Sequence, residues 1–266
     1  MNGHAHGAVT ILNATATGRG CSMAIDAVTE ATWHWGGEAL AIEGAPDARL
    51  ADACWRVAQA RLGRDDGASI RIRSDLPHAR GLKTSSSAAT AMLRAAGLPE
   101  ADVEVAAVQA ARQAGVTLTG AFDDQVAVTR GGCHLTDNAA IQVIARFPVE
   151  PWHVAVWVPE EPMPKSRVAT IEVGALRGAI EAAESRLLAD DIPDAMTRNG
   201  AAFGALYASA GLPVTEEPAR VALAAGAVGA GLSGTGPAVA ALFDAPTDLP
   251  PVEGGAWRWH RPVEVP

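Results

Sequence analysis

Lysine is nearly missing from this chain of 266 residues: of 21 basic residues only Lys83 and Lys165 are lysines. Charged residues make up 19%, and acids outnumber bases to leave a net charge of -9. A nucleic-acid surface needs clustered Lys and Arg to replace counterions, so no nucleic-acid partner is expected. The three cysteines, Cys21, Cys54 and Cys133, stand far apart with no CxxC pair. That pattern argues against a disulfide framework and for a reducing compartment. No apolar run reaches the roughly 18 residues of a membrane span. The opening MNGHAHGAV has no basic stretch leading into an apolar one, as a signal peptide would. These absences predict a cytoplasmic protein with no membrane partner. No G-x-S-x-G elbow and no His-rich ligand set are present either, which leaves serine or metal hydrolases without support. His4 and His6 form an H-x-H pair, read here as a chain start rather than a metal site.

What is present is an apolar, Ala- and Gly-rich chain, 48% hydrophobic, long enough for one large domain or two closely packed small ones. Strands are expected at Ala8–Leu12, Ser22–Glu30, Ala31–Trp35 and Ala68–Arg73, the last from its strict alternation. Helices are expected at Asp47–Leu62, Ala88–Ala96 and Glu100–Gln113, each followed within two residues by glycine. Strands Cys133–Thr136 and Ala140–Phe147 follow. After a reset around Pro148–Pro151 come strand Trp152–Val158, helices near Ile171–Leu188, Asp194–Ala210 and Ala219–Ala225, and strand Ala238–Phe243. Ala245–Pro266 reads as an irregular tail or an edge strand. The tryptophans at 33, 35, 257 and 259 read as packing residues. Strands and helices do not alternate as βαβ units, so the expected class is α+β in two layers. The expected domains are 1–148 and 149–266.

Four segments carry chemistry. In Pro77-His78-Ala79-Arg80-Gly81-Leu82-Lys83-Thr84-Ser85-Ser86-Ser87 a strand and turn lead into a Gly–Ser loop that opens an Ala-rich helix. Glycine lets backbone approach a ligand, and the unpaired amides and dipole of a helix start attract an anion. The serines add hydroxyls for capping, phosphate or magnesium, and Lys83 adds positive charge. The plain alternative is a Ser-rich helix cap. Thr119-Gly120-Ala121-Phe122-Asp123-Asp124 places adjacent carboxylates beside an apolar stretch, suiting a general base or a metal, or else an acidic helix start. Gly229–Pro237, with four glycines between small hydroxyl residues, suits an anion nest or a flexible turn. Asn13–Gly20 puts Arg19 between glycines after a buried strand, positioned for a phosphate or carboxylate.

Taken in order, these segments resemble the GHMP kinases. Pro77-x-x-x-Gly81-Leu82 with its serines resembles their phosphate-binding motif. Asp124, seven residues before Gly131-Gly132, resembles their catalytic aspartate, and Gly231–Pro237 resembles their C-terminal glycine motif. Asn13-Ala14, Gly18-Arg19-Gly20, Gly81-Leu82-Lys83, Thr119–Asp124 and Thr136-Asp137-Asn138 are most similar to the archaeal-type shikimate kinases within that superfamily. The resemblance implies a two-domain α+β fold, with an ATP-binding N-terminal domain and a ferredoxin-like C-terminal one. It implies ATP and Mg2+, and phosphorylation of the 3-hydroxyl of shikimate toward chorismate and the aromatic amino acids. Catalytic roles fall to Asp124 and Arg19. Arg80, Gly81, Leu82, Lys83, Thr84, Ser85, Ser86 and Ser87 would hold nucleotide. Asn13, Asp123, Ser233, Gly234 and Thr235 would hold the acceptor. Ser87, counted back from the helix, would ligate magnesium, with Ser86 as the alternative; Asp123 competes with Asp124 as base. Arg19 stands where the family commonly has lysine. The rival readings are another GHMP kinase, of homoserine or mevalonate type, and a non-catalytic nucleotide-binding module.

Overall fold

A computed structural model describes residues 1–45, 47–163, 165–212 and 215–264. Two β-sheets organise them. The first is built around two long paired strands, β1 (Asn2–Leu12) and β2 (Arg19–Trp35). β1 occupies one edge of β2; β4 (Ala68–Ser74) and β5 (Cys133–Asp137) share the other. β3 (Leu40–Glu43) pairs parallel to β4, and β6 (Gln142–Phe147) antiparallel to β5. The second sheet runs β10-β7-β9-β8, from β7 (His153–Pro159), β8 (Gly229–Leu232), β9 (Val239–Phe243) and β10 (Gly255–His260). In chain order this is 4-1-3-2, the ferredoxin-like arrangement. Residues 244–254, between its last two strands, form no helix.

The helices are α1 (Ala48–Leu62), α2 (Thr84–Ala96), α3 (Glu100–Gln113), α4 (Phe122–Arg130), the single turn α5 (Lys165–Val168), α6 (Arg177–Leu187), α7 (Ile192–Ser209) and α8 (Glu216–Ala224). Asp47 caps α1 by accepting from the Arg49 amide, and Gly63 closes it at φ 63. Trp33, Ile70, Leu50, Val57, Met92 and Val103 form one core, between the first sheet and α1–α3. A second core joins Val9, Ile11 and Met23 of the first sheet to Ile180, Phe203 and Leu232 of the second layer. Of seven tryptophans, Trp33, Trp35 and Trp55 belong to the first layer, and Trp152, Trp157, Trp257 and Trp259 lie in or beside the second sheet.

The α+β class holds, and several boundaries move. Ser22–Glu30 and Ala31–Trp35 are one strand. The helix expected from Ala88 begins at Thr84, so the loop serines form its first turn. Asp123 and Asp124 lie in the first turn of a helix, α4, as one of their two readings had it, but both are buried rather than solvated. The stretch 171–188 divides into a 3-10 turn, Val173–Leu176, and α6. The tail supplies edge strand β10 and then a strap: the amides of Asp26 and Gly132 donate to the carbonyls of Arg261 and Val263. Val265 and Pro266, part of the expected tail, lie outside the described residues. No helix among the described residues is long and apolar enough to cross a membrane.

Candidate active site

The start of α2 is built for close approach. Gly81 has φ 87, and a Cβ there would lie 2.1 Å from the Ser233 carbonyl oxygen, so only glycine fits. Lys83, the residue before the helix, is left-handed at φ 62, and no side chain caps the helix. Ala79 and Ala121 are left-handed too, at φ 54 and 52. Such strain in non-glycine residues gathers where surrounding structure imposes a geometry. The uncapped amides of the first turn therefore remain available to an anion.

Across a cavity of about 570 Å³ lies the start of α4. Ala121 precedes it and offers no cap of its own, the Asp123 amide donating instead to Asn138 Oδ1 at 3.0 Å, and Asp123 and Asp124 both line the cavity while largely buried. Their partners differ. Asp123 accepts from Asn138 Nδ2 on Oδ1 at 2.7 Å and from Ser22 Oγ on Oδ2 at 3.4 Å. Asp124 is held on Oδ1 by Lys83 Nζ at 2.5 Å and by Ser22 Oγ at 3.0 Å. Among the described residues no hydrogen bond or ion pair engages Asp124 Oδ2. Burial, then the neighbouring Asp124, pushes the Asp123 carboxyl up to about 6.

The glycine loop after β8 braces both walls. Ser233 Oγ donates to the Gly81 carbonyl at 2.9 Å. The Gly234 amide donates to Thr10 Oγ1, and Asn13 Nδ2 donates to the Gly234 carbonyl, both at 2.7 Å. The Asn13 amide is tied in turn to Asn199 Oδ1 on α7. Thr10 and Ser22 are register partners on β1 and β2, so they share the face that looks toward the site.

The site therefore gathers Asn13, Gly81, Lys83, Thr84, Ser85, Ser86, Asp123, Asp124, Gly234 and Thr235 around one cavity. Other expected residues lie elsewhere. Ser87 is fully buried and donates toward the Ala5 carbonyl at 3.3 Å, so the serines that line the cavity are Ser85 and Ser86. The helix begins four residues earlier than expected, and one further residue turns the side chain away. Arg19, expected beside the phosphoryl group or Asp124, bonds Glu184 Oε1 of α6 at 2.8 Å. That carboxylate is nearly buried and takes the exposed guanidinium as its counterion; the cation at Asp124 is Lys83. Arg80 donates to the carbonyls of Pro159 and Glu160, and Leu82 packs in the core. Ser233 is buried and spent on the brace. Asn13 is also committed, its Oδ1 accepting from the Thr15 amide and hydroxyl.

Sequence reasoning missed Ser22, Thr10 and Asn199 as site supports. The pairing register of the first two is their only sequence signal, and it shows once β1 and β2 are aligned. Asn138 lay within a segment already singled out, and its side chain bridges Asp123 to Thr119.

The family model described as GHMP kinases N terminal domain matches residues 49–132. The shikimate kinase of Halobacterium salinarum is 38% identical over 265 residues, covering 94% of this chain and 89% of its own. That of Thermococcus kodakarensis is 37% identical over 263 residues, covering 94% of both. Among solved structures, the mevalonate kinase of Methanococcus jannaschii superposes with a TM-score of 0.72 at 14% identity, over 99% of this chain and 98% of that one. That likeness concerns the fold, whereas the sequence relatives extend through both sheets and the site between them. The chain belongs to the GHMP kinases, a superfamily of ATP-dependent small-molecule kinases, and within it to the family of the archaeal shikimate kinases.

Proposed function

We propose that the protein is a shikimate kinase, transferring the γ-phosphoryl group of ATP to the 3-hydroxyl of shikimate. The observation that carries this reading is the opposition of two features across one cavity. An uncapped helix start with serines stands on one wall, and a buried carboxylate with a free oxygen stands on the other. Kinship with the curated shikimate kinases supplies the acceptor.

In this reading the amides of Thr84–Ser86 and the loop at Gly81 cradle the phosphates. The acceptor lies beside Asp124, between Asn13–Thr15 and Gly234–Thr235, which shape its seat mainly through backbone and hydroxyl groups. The shikimate oxygen forms its bond to the γ-phosphorus as the bond to the β–γ bridging oxygen breaks, and ADP departs with that electron pair. The hydroxyl proton passes to Asp124. Asp124 is preferred to Asp123 because Asn138 holds Oδ1 of Asp123 and Oδ2 of Asp123 packs against Gly20, where a Cβ would lie 2.6 Å from it, whereas Lys83 and Ser22 hold Oδ1 of Asp124 and leave its Oδ2 without a partner among the described residues. Catalysis of this type rests on positioning and electrostatics rather than covalent chemistry. The donor set suits Mg2+ carried on nucleotide: among the described residues no group of three His, Cys, Asp or Glu forms a protein cage, while Ser86 offers a hydroxyl beside the phosphate seat. The ion, when bound, neutralises charge on the phosphates.

We read residues 1–148 as the nucleotide-binding domain and 149–266 as the domain that completes the site. The three free, buried cysteines fit a reducing cytoplasm. The test is ADP release with ATP and each candidate acceptor. Release dependent on shikimate, with none on homoserine or mevalonate, is expected; preference for either of the others removes the reading.

A further inference from the structure

We propose that Lys83 is a positioning residue of the reaction: with Ser22 it clamps Oδ1 of Asp124 and so presents Oδ2 to the acceptor hydroxyl. This rests on the reading of the site as a shikimate kinase. It departs from the usual expectation for a lysine in a phosphate loop, which is to grip the nucleotide.

Four observations converge. The ammonium lies 2.5 Å from Asp124 Oδ1, with the two side chains 7% and 12% exposed. A pair so withdrawn from water is held by geometry rather than by passing attraction, and each partner depends on the other. Ser22 Oγ reaches the same oxygen from β2, at 3.0 Å. Two donors on one carboxylate oxygen fix the plane of the group and leave the other oxygen to the cavity. The backbone of Lys83 is left-handed at φ 62, a conformation costly to a non-glycine residue. That turn sends the side chain across to α4 while the amides of Thr84–Ser86 stay on the phosphate wall. Arg19, the other cation the sequence offered for this duty, is bound to Glu184.

The arrangement separates two labours within four residues. Helix-start amides and hydroxyls suffice for phosphate binding, which needs no side-chain cation. The ammonium is thereby free to hold the base. An uncharged side chain at 83 should therefore damage the chemical step more than nucleotide affinity.

The experiment compares wild type, Lys83→Ala, Lys83→Arg and Ser22→Ala by steady-state kinetics with shikimate and by direct titration with ATP. Lys83→Ala should lower kcat by about 100-fold or more, the scale of losing one preorganised electrostatic contact. Its Kd for ATP should change less than about threefold. Ethylammonium should restore part of kcat to Lys83→Ala, and none to Lys83→Ala/Asp124→Asn, where the carboxylate it would clamp is gone. Ser22→Ala should lower kcat in the same direction and leave ATP affinity alone. A tenfold rise in the Kd for ATP with kcat retained at saturation would overturn the proposal in favour of a phosphate grip. If Lys83→Ala does not fold, Lys83→Arg decides: its fork cannot reproduce a single compact ammonium contact, and an unchanged kcat sinks the proposal. Lack of shikimate-dependent turnover in wild type would remove the functional reading itself, a result distinct from every variant outcome.

Discussion

Burial raises the carboxyl of Asp123 to about 6 from an ordinary 3.8, while its neighbour is held by a lysine and a serine. Two identical side chains one residue apart thus stand in different environments. A raised carboxyl binds its proton in the folded state more tightly than in the unfolded chain. Its stabilising contribution is complete below pH 3.8 and is lost as pH rises through about 6. Asp123→Asn should therefore raise Tm at pH 8. The gain should vanish below pH 4. Calorimetry across that range checks it, and a gain independent of pH would contradict the assignment. Asp124→Asn should lower kcat by about 10²–10⁴-fold, the range of general-base catalysis, while the protein stays folded by circular dichroism. Near-wild-type turnover would remove Asp124 as base. Ser86→Ala should raise the Mg2+ concentration needed for half-maximal rate, and Ser87→Ala should leave it unchanged. At this scale the sequence made the acidic pair and the serine run visible. It ranked Ser87 ahead of Ser86 by counting and Asp124 ahead of Asp123 by resemblance; which hydroxyl is buried and which carboxylate oxygen is already bonded are set by packing that the sequence does not display.

α4 is the element on which the site turns, and no periodicity announced it. Its nine residues mix Phe, Val and Ala with Asp, Gln and Thr, all but Arg130 buried, so it shows no polar face. The long helices were legible for the opposite reason: α1 and α3 carry clear stops, and α1 an acidic cap. The far end of α4 runs into Gly131-Gly132, where the C-terminal strap crosses. The Gly132 amide donates to the Val263 carbonyl at 2.6 Å, the Val263 amide donates to the Ala24 carbonyl at 3.1 Å, and Arg146 pairs with Glu264 at 2.5 Å. Truncation after His260 leaves these groups on Ala24, Asp26 and Gly132 without partners. At about 1 kcal/mol per hydrogen bond the loss should lower Tm by several degrees and reduce kcat by loosening α4. An unchanged kcat would show that the strap serves stability alone. The tail read from sequence as irregular or an edge strand is both, a strand through His260 and a strap beyond it.

The two sheets share a core, and that sharing decides how the molecule unfolds. Val9, Ile11 and Met23 of the first sheet pack with Ile180 and Phe203 of the second layer, so neither half closes its apolar surface alone. One cooperative transition is expected, with calorimetric and van't Hoff enthalpies equal. Residues 1–148 expressed alone should aggregate or bind an apolar dye. Two separable transitions would show that the shared core does not couple the two halves. Boundaries read from composition mark where the chain changes sheet, and they are silent on such packing, which is non-local. The tryptophans follow the same division, three in the first layer and four at the second sheet, and none lines the cavity. Ultraviolet emission from this protein is therefore a gauge of the integrity of both layers and nearly blind to occupancy of the cleft. A Leu118→Trp variant, at an exposed position on the cavity rim, would give the cleft the optical signal that nature left out.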